Sequence, residues 1–192
     1  MSGFIPELTT RVHVEVDPSD IDEAINRISG GILGGTSIVE ELESTKNKLE
    51  GLREPLAESV AKALSSNQEN IISSKHYITG MMANSVDLTN DGGDYLVGNT
   101  AMSPDGFPYP LAIEKGTRSH WVSPNTFSAL HWDGDKFSKG HRVSGIKPDP
   151  FVDPSIDDTM HQIDTIVDEL LKDLWYYDIR LWYWHDKWYS HL

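Results

Sequence analysis

The sequence predicts an α+β domain in which a long kinked helix and a C-terminal helix pack on a small antiparallel β-sheet. Three patterns indicate this class: apolar residues at helical spacing over 42–64, two strand-like runs joined by a turn at 90–93, and a second amphipathic pattern after Ser155. An N-terminal strand–helix annex and an aromatic C-terminal arm complete the prediction. The chain has 192 residues, of which 38% are apolar, which suits one domain with a packed core and a tail.

The N-terminal region predicts one strand and one short helix. Valines alternate with polar residues over 12–16, which is typical of a strand. Ser19 or Asp20 is expected to cap the helix that follows. The glycine-rich joint at 29–35 then ends this annex, which comprises residues 1–35.

The long helix is predicted to divide near Pro55. Leucine, valine and alanine recur at helical spacing over 42–64, but proline removes a backbone N–H and clashes with the preceding turn. We therefore expect one piece before Pro55 and another from about Glu54 to Ser74. Ser37, with Glu40 three residues later, has the spacing of a capping box at the start of the first piece.

The middle of the chain predicts a small sheet. Ser85–Leu88, Asp94–Asn99 and Tyr109–Lys115 are short runs typical of strands. Asn90–Gly93 is a strong hairpin signal between the first two runs, and Ser103–Gly106 predicts a second turn.

The rest of the domain is predicted to hold an inserted loop and the last helix. The polar loop covers 119–147, with a short helix from about Ser123 to His131. The last helix begins near Ser155, and its apolar face is formed by Ile156, Met160, Ile163, Val167, Leu170 and Leu171. The domain therefore extends over 36–173, and the aromatic arm over 174–192.

Acidic residues dominate the charge. Thirty acids and sixteen bases give a net charge of −14 and a pI near 4.8, and residues 149–173 alone hold eight acids and one base. Because nucleic-acid binding rests mainly on basic side chains, this chain is expected to repel DNA unless the fold assembles a basic patch. The absence of cysteine excludes disulfides, thiolate zinc sites and cysteine nucleophiles. No apolar run is long enough for a membrane span, and Met1–Thr10 predicts no signal peptide.

Four motifs follow one another in a fixed order. Thr79–Val86 resembles a TG-x-L-x-NS element after a long helix, and Tyr95–Asn99 resembles the strand that follows it. Tyr109–Thr117 resembles a YA-x-x-x-E-x-GT element, and Pro150–Pro154 resembles a PF-x-x-P lead into a last helix. Together they resemble the tail-completion, or head–tail joining, proteins of long-tailed phages and archaeal tailed viruses, over roughly residues 40–174.

The resemblance implies a structural protein of the virion neck. Such a protein forms a ring, six-fold by family likeness, that joins the portal-side connector to the tail and surrounds the DNA channel. It has no catalytic site, cofactor or membrane association, and it is located in the virion after assembly in the host cytoplasm. An acidic channel wall suits this role, because it repels phosphates and does not hold them.

The motif residues are expected to maintain the fold. Gly80 and Gly116 predict positive φ angles, and Phe151 between two prolines predicts a buried apolar plug under the last helix. Glu114, on its predicted strand, is expected to face Arg118 or a lysine of a neighbouring copy. The full set of motif positions is Thr79, Gly80, Asn84, Ser85, Gly98, Glu114, Gly116, Thr117, Phe151 and Pro154. Asn84 and Ser85 are expected to bond local backbone groups.

A metal-dependent nuclease is the alternative function. His120, His131 and His141 lie in one polar stretch together with Asp133 and Asp135. Zinc sites commonly use closely spaced pairs of ligands, whereas these histidines are eleven and ten residues apart. The spacing therefore favours exposed or interface histidines over a metal centre.

The C-terminal arm predicts an interface. Eight of the chain's eighteen aromatic residues lie in 174–192 and offer roughly 1,200–2,000 Å² of surface, more than soluble monomers usually expose. The predicted anchors are Trp175, Tyr176, Trp182, Trp184 and Trp188. An interfacial membrane helix, or a host protein that merely oligomerises through this arm, are further interpretations.

Overall fold

The computed structural model describes residues 4–29, 36–76, 80–104, 106–124, 130–132 and 136–172. Helices and antiparallel strands occur together in this part of the chain, which confirms the predicted α+β class. The helices are α1 (Ser19–Ser29), α2 (Thr36–Gly51), α3 (Arg53–His76), α4 (Tyr109–Lys115), α5 (Val152–Met160) and a further helical segment, 163–172. The strands are β1 (Thr9–Val12), β2 (Val86–Asp91), β3 (Asp94–Asn99), β4 (His120–Val122), β5 (Leu130–Trp132), β6 (Lys136–Ser138) and β7 (His141–Val143).

A three-stranded antiparallel sheet lies against α3, in the order β1-β3-β2. Val97 on the central strand pairs with Thr10 on one side and with Leu88 on the other, and its side chain is fully buried. The predicted hairpin is confirmed. Its turn has positive φ at Gly92 and Gly93, and the Gly93 amide donates to Asn90 Oδ1 at 3.2 Å.

The N-terminal strand is three residues out of its predicted position. It covers Thr9–Val12 and not 12–16, because the chain leaves the sheet after Val12 and the Val14 carbonyl accepts a hydrogen bond from Arg53 Nε at 3.0 Å. The helix that follows begins at Ser19, within two residues of the predicted start. Neither Ser19 nor Asp20 caps it with its side chain, however; Asp17 accepts the Ser19 amide at 2.9 Å.

The long helix bends where the sequence predicts it. α2 ends at Gly51 and α3 begins at Arg53, so that Pro55 lies in the first turn of α3, where a missing N–H costs little. The predicted capping box is wrong, because Thr36 and Ser37 are already helical.

Two clusters of buried side chains form the core, and α3 contributes to both. The first cluster contains Ile5, Leu8, Ile72, Met82, Ala83 and Phe151. The second cluster, between α3 and the sheet, contains Val12, Ala57, Ala61, Leu64, Tyr95 and Val97. α3 is therefore the element that holds the N-terminal segment, the sheet and the C-terminal helix in one body.

The segment Tyr109–Lys115 is helix α4, so the predicted strand is wrong. The alternation of Tyr109, Leu111 and Ile113 resembles a strand, but Pro110 occupies the helix start, where its fixed φ is favourable. Pro110 and Ala112 are buried while the alternating residues also pack on the first cluster. When a short helix is covered on more than one side, its apolar residues can alternate in sequence as those of a strand do.

The inserted loop forms two nested antiparallel ribbons. β4 pairs with β7, and β5 pairs with β6. The short helix predicted from Ser123 to His131 is wrong at its end, because Leu130–Trp132 is a strand. Its centre, 125–129, lies outside the described residues.

The last helix begins at Val152, earlier than predicted, and is interrupted at 161–162. Met160 is 61% exposed, so it does not belong to the buried face that the sequence predicts for it. Ser155 and Thr159 are buried on that face, and Thr159 Oγ1 accepts a hydrogen bond from Asn67 of α3 at 3.0 Å.

Candidate functional site

Phe151 is the centre of the motif residues. Its side chain is fully buried in the first core cluster, as predicted for an apolar plug at the entry to the last helix. Glu114 of α4 holds this entry: its Oε2 accepts the Phe151 amide at 2.8 Å and the Val152 amide at 3.3 Å. These are two of the amides that a helix start leaves unpaired, and a carboxylate is the acceptor that this position favours.

Gly116 closes the same junction from the other side. Its φ of +71° is in the predicted left-handed region, and a Cβ there would lie 2.7 Å from the Ile146 carbonyl oxygen. Thr117 then pairs with Ile146 twice, through its amide at 2.9 Å and its hydroxyl at 3.0 Å. The glycine thus allows the two ends of the inserted loop to meet, and Pro148 packs against them.

The first motif forms the turn between α3 and β2. Gly80 has a φ of +73°, as predicted, and its carbonyl accepts the Asn84 amide at 2.9 Å. The Ser85 hydroxyl donates to the Met81 carbonyl at 2.7 Å, which confirms the predicted local bond of Ser85. The Asn84 side chain is exposed.

The strand motif permits a close approach of β1 to β3. A Cβ on Gly98 would lie 2.9 Å from the Leu8 carbonyl oxygen. Next to it, the buried Asn99 donates to the Met82 carbonyl at 2.7 Å and accepts the Ala101 amide at 2.9 Å. The role of Asn99 was not predicted individually, although the residue lies within the quoted motif.

The remaining predicted positions are of two kinds. Pro154 lies in the first turn of α5 and is half-buried. Thr79 and the predicted interface residues lie outside the described part of the chain: Trp175, Tyr176, Trp182, Trp184 and Trp188.

Charged side chains form a network around Asp94 that the sequence did not indicate. Asp94 contacts His13 at 2.8 Å, Arg11 at 3.2 Å and Arg53 at 3.4 Å, and Arg11 also contacts Asp91 at 2.7 Å. The hydrogen bond from His13, together with that from Arg11, lowers the pKa of Asp94. The network connects the N-terminal segment, the hairpin and the start of α3. Its members are far apart in sequence, so no local pattern could have identified it.

The three histidines of the alternative function lie on the two ribbons. His120 pairs with Val143, and His141 pairs with Val122, so these two residues occupy opposite ends of the β4–β7 ribbon. His131 lies on β5. Within the described residues, no three His, Asp or Glu side chains are grouped closely enough to hold a metal ion. Asp133 and Asp135 lie outside this part of the chain.

Several large apolar side chains are exposed. Trp121 on β4 is 65% exposed, and the others, each 42–61% exposed, are Ile38, Met81, Met102, Phe107, Ile146 and Met160. Trp121 and Ile146 both belong to the insertion or its base. No helix in the ranges described is both long and apolar enough to cross a membrane.

Comparisons of the chain with family models, with curated proteins and with solved structures find no match. The likeness to tail-completion proteins therefore rests on the motif residues themselves. In the structure, these residues supply turns, close approaches and backbone acceptors around Phe151 and the sheet.

Proposed function

We propose that this chain is a structural virion protein that forms a ring at the head–tail junction of a long-tailed virus. In this role it connects the portal-side connector to the tail, and the DNA passes through the ring without sequence-specific binding. The partners are further copies of the chain, in a ring that is six-fold by family likeness, and the adjoining connector and tail proteins. The protein acts without catalysis, cofactor or membrane.

The observation that carries the proposal is the junction at Phe151. Residues from separate motifs meet there: Glu114 binds the start of α5, and Gly116 with Thr117 fastens the base of the inserted loop. Glu114 and Thr117 form hydrogen bonds with backbone groups, and Gly116 adopts a positive φ, so all three stabilise the fold. Motif residues that stabilise the fold, and do not form a pairing of nucleophile and base, favour a component of an assembly over an enzyme.

The acidic surface also supports the proposal. Six exposed carboxylates lie on α5 and on the helical segment 163–172: Asp153, Asp157, Asp158, Asp164, Asp168 and Glu169. A ring that exposed part of this charge to its channel would repel the phosphates of the passing DNA. DNA would then move through without adhering to the wall.

The test is the composition of the particle. Quantitative mass spectrometry of purified virions of the virus that carries the gene should find the chain in a fixed, low copy number. Deleting the gene should leave DNA-filled heads and separate tails. Particles that lack the chain, or that join heads to tails normally without it, would contradict the proposal.

A further inference from the structure

The insertion, together with the residues that lead into it from the end of α4, has the opposite net charge to the rest of the chain. Residues 115–147, here called the basic segment, hold six bases and two acids, whereas the remainder holds ten bases and twenty-eight acids. The bases are Lys115, Arg118, Lys136, Lys139, Arg142 and Lys147. The segment is thus a basic region that the overall composition conceals.

Four bases of this segment have no carboxylate partner in the part of the chain that the structure describes. Arg118, Lys139, Arg142 and Lys147 are exposed, and none has a carboxylate within 4 Å among the described residues. By contrast, six bases before residue 80 each contact at least one carboxylate: Arg11, Arg27, Lys46, Arg53, Lys62 and Lys75. The basic segment therefore offers charge to another molecule.

The segment also offers an aromatic anchor in a defined position. Trp121 is 65% exposed and pairs in register with Arg142, whose Nη2 donates to Ser119 Oγ at 3.0 Å. A Cβ on Gly140 would lie 2.6 Å from Trp121 Nε1, so the indole packs directly against the Gly140 backbone. Tryptophan and arginine held on a short ribbon are the residue types that dominate binding energy at protein interfaces.

The complementary surface is on the same chain. The six exposed carboxylates of α5 and 163–172 likewise have no basic side chain within 4 Å among the described residues. Over the ranges described, one copy therefore carries a basic surface and an acidic surface without partners, and each can be neutralised by the other surface of a second copy.

We propose that the described part of the basic segment, through the exposed Arg118, Trp121 and Arg142, binds the acidic surface of α5 and 163–172 of a second copy of this chain. Copies with a charge of −14 repel one another in general, so an attractive contact has to bring unlike surfaces together. A two-fold contact that paired like surfaces would add repulsion. A head-to-tail contact pairs basic with acidic surface and repeats, so that it can close into a ring. The inference deepens the proposed function, on which it rests.

A charge exchange in the full-length protein tests this contact. Sedimentation velocity at low salt should show that the wild type associates, and that either Arg118→Glu with Arg142→Glu or Asp157→Lys with Asp158→Lys weakens association about tenfold or more. The second pair makes the chain less acidic, so general repulsion cannot explain its loss of association. Combining all four changes restores the original net charge and should restore association.

A control separates local contact from net charge. Arg27→Glu with Lys62→Glu changes the net charge by the same amount as the first pair, at exposed bases outside the basic segment, and should leave more association than that pair does. Circular dichroism should show that every variant is folded.

Several outcomes would overturn the inference. The control could weaken association as much as Arg118→Glu with Arg142→Glu, or the fourfold variant could fail to recover. Alternatively, the wild type could bind labelled duplex DNA, and Arg118→Glu with Arg142→Glu could abolish that binding while leaving self-association unchanged. This result would identify the basic segment as a nucleic-acid surface. A wild type that stays monomeric at every concentration would also overturn the contact, whereas the virion composition test would still decide the proposed function.

Discussion

At the scale of single residues, the motif positions work through backbone geometry. Gly80 and Gly116 adopt left-handed conformations, Gly98 allows a close approach of two strands, and Glu114 accepts two amides at the start of a helix. Turn chemistry and proline spacing were sufficient to predict the glycines and the buried Phe151. The partners of Glu114 were not predictable, because they depend on α4 being a helix and on a contact across 37 residues.

Gly116 provides the sharpest residue-scale prediction. Gly116→Ala is expected to cost about 1–3 kcal/mol of unfolding free energy, because a Cβ would add a clash with Ile146 and Pro148 to an unfavourable φ. Gly106→Ala is the matched control, since its φ is +77° but no atom lies within 4 Å of the added Cβ. Urea unfolding of both variants measures the difference, and equal losses would show that the close approach at Gly116 contributes nothing.

Two variants test whether the Glu114 carboxylate stabilises the start of α5. Glu114→Ala leaves the Phe151 and Val152 amides without this acceptor and is expected to destabilise the fold by about 1–3 kcal/mol. Glu114→Gln keeps an acceptor oxygen and loses the charge, so its loss should be smaller. If thermal unfolding shows both variants to be as stable as the wild type, Glu114 does not hold the start of α5.

The buried side chain of Gln68 on α3 is expected to lower the free energy of unfolding. Its side chain is fully buried, and neither amide atom has a hydrogen-bond partner among the described residues. Gln68→Leu should therefore be neutral or stabilising by about 1–2 kcal/mol. Asn99→Leu is the control, because Asn99 is equally buried but bonds Met82 and Ala101, and its loss should destabilise. Equal destabilisation in denaturant titrations would contradict the prediction.

At the scale of elements, the long-range contacts of α3 organise the domain. The bend near Pro55, the hairpin at Gly92 and the start of α1 were predictable, because each depends on residues that are adjacent in sequence. The strand predicted over Tyr109–Lys115 was wrong, since an alternating pattern cannot distinguish a strand from a short helix covered on several sides. The Asp94 network depends on strand register and on contacts between residues far apart in sequence, so no local pattern indicated it.

The Asp94 network predicts a pH dependence of stability. The folded state lowers the pKa of Asp94 below the ordinary 3.8, through hydrogen bonds from His13 and Arg11. The stabilisation is therefore complete above that ordinary value and is lost as the pH falls through the lower pKa of the folded state. Asp94→Asn should make the fall in melting temperature between about pH 5 and pH 2 shallower than in the wild type.

Asp164→Asn is the control for this prediction. Asp164 is exposed on the last helical segment and contacts no basic side chain among the described residues. Its variant should follow the wild-type pH profile more closely than Asp94→Asn does. Parallel profiles for the wild type and Asp94→Asn would show that the network does not contribute through the charge of Asp94.

At the scale of the whole molecule, the charge is divided between a basic insertion and an acidic remainder. This division suits a subunit that binds the next copy head to tail, while the carboxylates left outside that contact repel DNA. The sequence alone indicated the acidic excess, but it did not show that Arg142 lies exposed on a ribbon, in register with the exposed Trp121.

Imaging of the neck in intact particles tests the central claim most directly. A reconstruction of the particle should contain a closed ring between the connector and the tail. The described residues of 80–154 around Phe151 should fit each subunit of that ring, with Arg118, Trp121 and Arg142 against the acidic helices of the next copy. A neck whose density is fully explained by other proteins, with no subunit of this fold, would contradict the proposed function.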